Sequence, residues 1–489
     1  MIPVSNKFLE IANRTYRPKC EPQIKVTTID ENGSETTLEW KSSNIKSFSY
    51  KRGIDPVGRT LPYMELTWTE VYKGKLNAQG DQMKYTQNLE HAAVDLSFIQ
   101  NLGFRNTWDN LKNKTWGELS SLTWGQIKNS IEKETVTVPR LFLDSNPIVE
   151  GQTITWKAYD LLYFLNYTEP KEFKQRYWYT PTSSGQYQIP FVNPIKYLLI
   201  NARSEFIKSY FLVDAIQSSL ENLTQFQNEN DLLFDGWIIF SDTFKNNLMN
   251  YAATESLYID FDADGAFKFM NYVVDSDIKQ SFSKKLIYKY PKITQSADIS
   301  NYTYKIHRVT EQYGKDYEAP NPRSETFNGK TIYIYDFDGY GSISDFYSGK
   351  VYSEINRAAG ISKSEFAEDV DGFKLRCGTL SVANEEMTIK NADSGEVYSE
   401  SNPLWCYEPY NSQTTKRFDF LKRYFNRNTS SLEFETVGNI ALEPHDTIQI
   451  DTNLYKDEEQ ITKKACIVSM EITYNGSIKE KIIAHEVNV

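Results

Sequence analysis

Three aspartates at alternate positions, Asp260, Asp262 and Asp264, are followed at once by Gly265. This spacing matches the first half of an EF-hand calcium loop, in which alternate carboxylates bind the ion and a glycine allows the sharp turn. Such a loop also needs a bidentate glutamate at its twelfth position, and that position is Asn271 here. The motif therefore supplies only part of a calcium site.

The residues after the glycine favour a hairpin instead. Phe267 and Phe269 alternate around Lys268 as in a strand, whereas an EF-hand would begin a helix there. We therefore predict a β-hairpin with an Asp-Gly turn, and calcium binding is the less favoured alternative. The same interpretation applies to the Asp-Gly pairs within residues 336–339 and 369–372, because glycine adopts a positive φ at low cost.

The other residues with catalytic potential form no recognisable site. Four histidines are scattered, without a Cys, Ser or carboxylate at a defining spacing: His91, His307, His445 and His485. The sequence contains no HExxH, GxSxG, Walker A or GxGxxG motif. A glycosidase could draw two carboxylates from any of the 65 acidic residues, so the sequence does not test that chemistry. We predict no enzymatic activity, no cofactor and no bound metal.

The cysteine spacing, the N-terminal sequence and the lengths of the apolar runs indicate the cellular compartment of the protein. The cysteines lie far apart, with no CxxC pair and no histidine at ligand spacing: Cys20, Cys377, Cys406 and Cys466. We predict buried free thiols in a reducing cytosol. No secretory signal follows Met1 and no apolar run is long enough to span a membrane, so we expect release by lysis or within a particle.

Composition favours strands and protein contacts. The 33 Tyr, 27 Phe and 9 Trp make up 14% of the 489 residues. Aromatic side chains suit strands and interfaces, although an AT-rich coding bias would also enrich tyrosine. With a net charge of −11, no basic surface stands out, so no sequence-specific binding of nucleic acid is expected.

The N-terminal part predicts a β domain with an insertion. Alternating patterns predict strands at residues 23–29, 36–40, 45–50, 63–72, 135–142 and 153–159. Between them, residues 75–133 predict a polar, helical insertion. It repeats Thr-Trp with a period of eight residues at Trp108, Trp116 and Trp124, which predicts three short capped helical turns that bury these rings. Carbohydrate binding by exposed Trp rings is the alternative.

The remainder mixes helices and strands. We predict helices at residues 195–226, 243–254 and 414–425, strands at 299–309, 330–335, 432–437 and 448–450, and a polar loop at 313–326. Pro444 and His445 predict a tight turn, and a type II turn would need a positive φ at His445. Asn475-Gly476 predicts a hairpin with a two-residue loop.

These elements resemble phage tail-hub proteins. The C-terminal order, from Asn402 through the Leu-x-Pro-x-Asp turn to the final hairpin, is similar to the closing domain of that family. A helix before Tyr-Ile-Asp-x-Asp-x-Asp-Gly resembles its middle, and the Thr-Trp repeats resemble those in tail proteins of phages that infect Gram-positive bacteria. The family usually has Gly at the position of His445, so this residue departs from the pattern.

The resemblance implies a structural virion protein, a homotrimer at the distal tail or baseplate that is assembled in the bacterial cytoplasm. In the family, two β-barrel domains per subunit adapt a sixfold tail tube to a threefold tip. The implied partners are the tail tube, distal tail proteins, the tape-measure protein and a spike or fibre. Because the chain ends at Val489 after the closing strand, we expect any hydrolase or receptor binder to be another polypeptide. The alternative is a glycan-binding or polysaccharide-depolymerising tail protein.

Together these patterns predict an α+β, mainly β, multidomain fold with two small β-barrel-like domains. The expected domains are an N-terminal β-barrel-like domain (1–170, with the insertion at 75–133), a helical and α/β connecting domain (171–275), a β-rich domain (276–400) and a closing helix and β-barrel segment (401–489).

Overall fold

The structure is a computed structural model. It describes residues 1–14, 19–29, 33–55, 64–71, 89–104, 131–144, 147–150, 153–165, 188–206, 209–235, 243–272, 277–295, 302–312, 323–327, 330–334, 373–377, 384–391, 397–402, 420, 430–451 and 462–487.

Helices in these residues are α1 (Asn6–Ala12), α2 (Leu161–Leu165), α3 (Asn193–Glu205), α4 (Tyr210–Asn230) and α5 (Phe244–Thr254). The strands are β1 (Cys20–Ile29), β2 (Glu35–Lys41), β3 (Ile45–Gly53), β4 (Glu65–Val71), β5 (Ala93–Phe104), β6 (Ile131–Thr137), β7 (Leu141–Leu143), β8 (Ile148–Glu150), β9 (Thr153–Tyr159), β10 (Gln188–Pro190), β11 (Leu233–Asp235), β12 (Leu257–Phe261), β13 (Phe267–Asn271), β14 (Gln280–Phe282), β15 (Ile287–Gln295), β16 (Tyr302–Gln312), β17 (Arg323–Phe327), β18 (Lys330–Ile334), β19 (Phe373–Cys377), β20 (Asn384–Asn391), β21 (Val397–Asn402), β22 (Ser430–Thr436), β23 (Thr447–Asp451), β24 (Thr462–Tyr474) and β25 (Ile478–Glu486).

One sheet of 15 strands contains most of this β structure. Its main path runs β15-β22-β25-β24-β3-β4-β9-β7-β5-β1-β2, so β15 and β2 are its two ends in the described part of the chain. The antiparallel pairing of β24 with β3 joins the C-terminal strands to the N-terminal strands. The two ends of the sequence therefore share one sheet.

The predicted fold class is confirmed: the described structure is mainly β and multidomain. Smaller sheets include β12 with β13, and a four-stranded sheet of order β19-β16-β20-β21. Strands β14 and β15 lie inside the range predicted as a separate β-rich domain, 276–400. They pair with β23 and β22 of the closing segment, and the described strands of this range belong to three sheets: the large sheet, the four-stranded sheet and the β17–β18 pair.

The core of the N-terminal strands follows the alternation in the sequence. Met64, Leu66 and Trp68 on β4 all point inward and are fully buried. Three tryptophans pack with ring centroids 5.3 to 5.8 Å apart: Trp40, Trp68 and Trp156. The buried carboxylate of Glu70 accepts the indole N–H of Trp40 at 2.6 Å and that of Trp156 at 3.2 Å. These bonds replace the water that a buried carboxylate loses.

The predicted helical insertion at 75–133 is wrong for residues 93–104, which form β5, the third strand from the β2 end of the sheet path, and for residues 131–133, which begin β6. Val94, Leu96 and Phe98 are fully buried at alternate positions. This period of two identifies a strand, but polar sequence on both sides concealed it. Trp108, Trp116 and Trp124 lie outside the described residues.

Three other sequence predictions need correction. The single helix at 195–226 is two helices, because α3 ends at Glu205 and α4 begins at Tyr210, and an amphipathic pattern that continues through both does not reveal the break. The polar loop at 313–326 is wrong from Arg323 onward, where β17 pairs with β18. The hairpin at Asn475 is correct, but its register leaves three residues between the paired Tyr474 and Ile478.

Other predicted elements lie outside the described residues. These are the Asp-Gly pairs within 336–339 and 369–372 and, apart from Phe420, the helix at 414–425.

Asp160 connects β9 to α2 with a fully buried carboxyl group. The carboxyl accepts the backbone N–H of Met64 at 2.5 Å and that of Tyr163 at 3.1 Å. Burial raises the pKa of Asp160 from 3.8 to about 7, even though these N–H groups favour the charged form.

We expect this group to make the protein less stable as the pH rises from about 4 to about 7. A carboxyl with a higher pKa in the folded than in the unfolded state stabilises the fold below its unfolded pKa and loses that contribution as the pH passes its folded pKa. The slope should not exceed about 1.4 kcal/mol per pH unit. Urea unfolding of the wild type and Asp160→Asn between pH 4 and 8 measures it, and equal slopes in both proteins would contradict this assignment.

Candidate functional site: the junction of the terminal domains

The seam between β24 and β3 carries a row of alternating charges on the solvent face of the sheet. Six residues on six neighbouring strands face each other directly, with lysine and glutamate in strict alternation: Lys289, Glu435, Lys481, Glu471, Lys51 and Glu65. We call this set the charge row. Opposite charges directly across a strand pair stabilise it, and like charges destabilise it. The row therefore favours this register across the seam.

Side chains of the row also form individual contacts. Lys289 Nζ lies 3.2 Å from a Glu435 carboxylate oxygen, and Lys481 Nζ lies 2.6 Å from the neighbouring Glu433. Ser49 donates its hydroxyl to Glu471 at 2.7 Å. These groups are partly exposed, so each pair contributes little alone, and their collective effect is to select the register.

Lys51→Glu should lower the free energy of unfolding by about 1 kcal/mol, because a glutamate there faces Glu471 and Glu65 directly. Lys479→Glu is the matched control: this exposed lysine is on the same sheet but faces the neutral Thr473. Urea unfolding at low and high salt gives both values. The penalty at Lys51 should shrink with added salt, and a penalty no larger than at Lys479 would exclude the register role.

Beneath the seam, Arg52 joins three parts of the chain. Its side chain is 3% exposed and donates to Asp260 of β12 at 2.7 Å and to Glu443 at 2.8 Å. Burial disfavours the charge of Arg52, but Asp260, Tyr50 and Glu443 hold its pKa above the ordinary value. Burial alone would raise the pKa of Asp260, but Arg52 holds it below the ordinary value. This ion pair is therefore charged at neutral pH.

Glu443 also starts the Pro444-His445 turn. Glu443 O accepts the backbone N–H of Asp446 at 3.1 Å, and φ at His445 is 79°, as in a type II turn. The His445 ring stacks on Tyr258 at 5.3 Å and meets the edge of Tyr272 at the same distance. Aromatic contact thus accompanies a positive φ at His445, a conformation that is uncommon outside glycine.

The N-terminus adds to this cluster. The Met1 ammonium group lies 2.6 Å from Asp446 and 3.3 Å from Glu443. Burial raises the pKa of Asp446 above its ordinary value, against the effect of this ammonium group. The cluster of charges that connects β3, β12 and the turn is the main polar feature of the junction.

The Asp260–Gly265 motif forms a hairpin, as predicted, and its aspartates contact protein groups. One Asp262 carboxylate oxygen accepts the backbone N–H groups of Asp264 and Ala266, both at 3.0 Å. The other accepts the side-chain amide of Asn222 on α4 at 2.8 Å. Together with the Asp260–Arg52 pair, these contacts give the motif a structural role. In the described residues, no group of three or more His, Cys, Asp or Glu side chains is arranged to hold a metal ion.

The tip of this hairpin docks on the N-terminal domain. Arg140 donates its backbone N–H to Ala263 O at 3.2 Å, and its side chain pairs with Asp95 at 2.9 Å. Gly265 has φ +81°, and a Cβ there would lie 2.7 Å from Arg140 O. Only glycine meets both conditions, so the Asp-Gly pair serves the contact as well as the turn.

One Ser–His pair has the composition of a catalytic dyad. His91 Nδ1 and Ser209 Oγ are 2.6 Å apart, although 118 residues separate them. The nearest carboxylate contact is 3.9 Å, from Glu90 to His91 Nε2, which exceeds hydrogen-bonding distance. The ring packs edge-on against Phe164 and Phe206, and burial lowers its pKa. The pair connects the Glu90-His91 turn to the α3–α4 junction.

Among the side chains that the structure describes, the other histidines and cysteines do not come together as a site. His307 is on β16 and His485 is on β25, where burial lowers its pKa. Cys466 is buried, as predicted, and burial raises its pKa to about 12, whereas Cys20 is half-buried. Cys377 ends β19, and Cys406 lies outside the described residues. No helix in the described ranges is long and apolar enough to span a membrane.

Sequence reasoning missed Arg52, a buried charged residue of the junction. A signal was present, because Phe48 and Tyr50 alternate inward on β3 and place Arg52 on the same face. An arginine in an inward position needs carboxylate partners. Those partners, Asp260 and Glu443, lie 208 and 391 residues away, so the sequence did not reveal them.

No model of a known protein family matches this sequence. No curated protein matches it either.

Solved structures are similar to it. A tail protein from Neisseria meningitidis MC58 aligns over 96% of this chain and 96% of its own, with 8% identity and a TM-score of 0.38. The 43 kDa tail protein of prophage MuSo2 from Shewanella oneidensis aligns over 95% of this chain and 97% of its own, with 7% identity and a TM-score of 0.38.

A third similar structure is an Escherichia coli protein described as a component of the type VI secretion system, with structural similarity to the T4 bacteriophage tail proteins gp27 and gp5. It aligns over 95% of this chain and 77% of its own, with 7% identity and a TM-score of 0.33.

Proposed function

We propose that this chain is the hub subunit of a phage-type tail tip, a homotrimer that adapts a sixfold tail tube to a threefold tip and anchors spike or fibre components. Its partners are the tail tube, distal tail proteins and the tape-measure protein. The proposed role is structural and involves no catalysed reaction. The protein acts as a component of the virion.

One observation carries this proposal: two groups of strands, from opposite ends of the chain, form one continuous sheet. The N-terminal group includes β3, β4 and β9, and the closing group includes β22, β24 and β25. Each chain thus contributes two β units, so three chains present six units to a sixfold tube. The motif resemblance in the closing segment, the Asp-Gly hairpin and the Thr-Trp repeats supports the same function.

The junction fits this role. An adaptor must hold its two β units in one orientation, because a tube with sixfold symmetry presents regularly spaced surfaces. The charge row favours one register between the units, and the buried Arg52 pairs tie both units to the β12–β13 hairpin. The polar groups at the junction thereby fix the orientation of one β unit relative to the other.

The proposal is tested by the mass of the purified full-length chain in solution. We expect a particle of three times the 56.7 kDa chain mass at micromolar concentration, and three copies at the tip of assembled tails seen by electron microscopy. A monomer at every concentration, together with a tail tip that lacks three copies, would refute the hub role. Clearance of purified capsular polysaccharide by the isolated chain would favour a depolymerase instead.

A further inference from the structure

The two end strands of the large sheet carry opposite charges. On β15, Lys289 and Lys292 are exposed, and residues 278–295 contain five lysines and no acidic residue. On β2, Glu35 and Glu39 are exposed, and residues 30–39 contain four acidic residues and no basic one. We call these strands the basic edge and the acidic edge. A chain of net charge −11 therefore concentrates positive charge at one end of its sheet.

Both sets of charges project from the same face of the sheet. Directly opposed residues continue the charge row from Glu65 through the remaining strands, in the order Tyr159, Phe142, Ala93, Thr27 and Thr37. Glu39 is two residues from Thr37 and so shares its face. The same face thus begins with Lys289 at the basic edge and ends with glutamates at the acidic edge.

At the acidic edge the charge also alternates from strand to strand, in an order that a basic residue on a further strand would continue. There, Asp95, Lys25 and Glu39 face each other directly on β5, β1 and β2. A basic residue placed beside Glu39 would extend this series, and the charge row begins with one. The Glu39 carboxylate accepts the side-chain amide of Gln23 and lies 3.4 Å from Lys41, and both contacts are at an exposed site where each contributes little.

The basic edge is protected against indiscriminate pairing. Its register shifts between Ile287 and Lys289 and again before Lys292, and it contains Pro291. Bulges, lysine and proline on an edge strand hinder backbone pairing with arbitrary strands. The basic edge therefore resists backbone pairing with arbitrary strands, while its lysines suit a partner strand that carries acidic side chains at matching positions. The acidic edge of a second copy is such a partner.

We propose that the basic edge of one copy meets the acidic edge of the next, with Lys289 and Lys292 against Glu35 and Glu39. Because the contact joins two different surfaces, it is heterologous, and three copies form a ring when the rotation between successive copies closes. This inference rests on the proposed trimer and names the surfaces that form it.

Charge reversal tests the contact in the full-length chain. Glu39→Lys and Lys289→Glu should each weaken trimer formation about tenfold, because each places like charges together, and the double variant should restore it. Lys479→Glu is the control, because it removes the same charge from an exposed site away from both edges, and it should leave the trimer intact. Mass photometry across concentrations measures association, and thermal unfolding confirms that each variant folds.

Cysteine pairing provides a second readout. Glu39→Cys with Lys289→Cys should give covalent trimers under mild oxidation, while Glu39→Cys with Lys479→Cys should not. If the wild type is a trimer but neither reversal changes it, the edge contact is refuted and the hub proposal stands. If the wild type never self-associates, both fail. A third outcome is that the chain binds a single-stranded oligonucleotide, that Lys289→Glu abolishes this binding, and that trimer formation is unchanged in the same variant. The basic edge would then bind a polyanion, and the edge contact would be refuted.

Discussion

Arg52→Met should lower the free energy of unfolding by about 3–5 kcal/mol, the largest loss we expect from a single substitution at the junction. The guanidinium group is 3% exposed and pairs with Asp260, which is 17% exposed, and with Glu443. Methionine fills similar space but removes the nearer cation of the Asp260 carboxylate, which then keeps only Lys268, 4.0 Å away. The cost arises because this mostly buried carboxylate loses its closest ion pair and two hydrogen bonds from Arg52 to carboxylates are lost.

Two further variants separate charge from packing. Arg52→Met combined with Asp260→Asn should recover part of the loss, because the remaining buried group is then neutral. Lys289→Met removes the lysine of an exposed ion pair, and its effect should stay within about 1 kcal/mol. Urea unfolding at neutral pH compares all of them. Equal losses for Arg52→Met and Lys289→Met, or no recovery in the double variant, would show that the buried pair does not stabilise the junction.

Gly265→Ala should cost about 2–4 kcal/mol, from two separate causes. The positive φ of +81° disfavours any residue with a Cβ by about 1–2 kcal/mol. The new Cβ would also lie 2.7 Å from Arg140 O, so the hairpin must move away from the N-terminal domain, at a cost like that of overpacking a core, about 1–3 kcal/mol.

Gly476→Ala isolates the first cause. Gly476 has nearly the same φ, +82°, but a Cβ there meets nothing within 4 Å. The difference in unfolding free energy between the two alanine variants therefore measures the docking contact alone. Hydrogen exchange adds a local readout, because the Arg140 amide that donates to Ala263 O should exchange faster in Gly265→Ala. If the two variants lose equal stability and Arg140 stays protected, the hairpin tip does not dock as described.

Secondary structure was predictable from the sequence where the residues of a single strand or turn determine it. The alternation at residues 63–72 predicted strand β4, and the Asp-Gly pair predicted the hairpin. Pro444-His445 predicted a tight turn, and the positive φ at His445 makes it type II. The predictions failed where polar sequence flanks a strand, as at β5, and where a helical pattern continues across a break, as between α3 and α4.

The sequence by itself determined that the chain is mainly β, which residues point inward on the strands it predicted, and where its sharp turns lie, because these depend on side-chain period and on local backbone preference. Only the tertiary structure decided that β24 pairs with β3 and that Arg52 meets Asp260 and Glu443. The physical reason is that a strand's period identifies its buried face but not its neighbour. The neighbour depends on packing and charge summed over residues hundreds of positions apart.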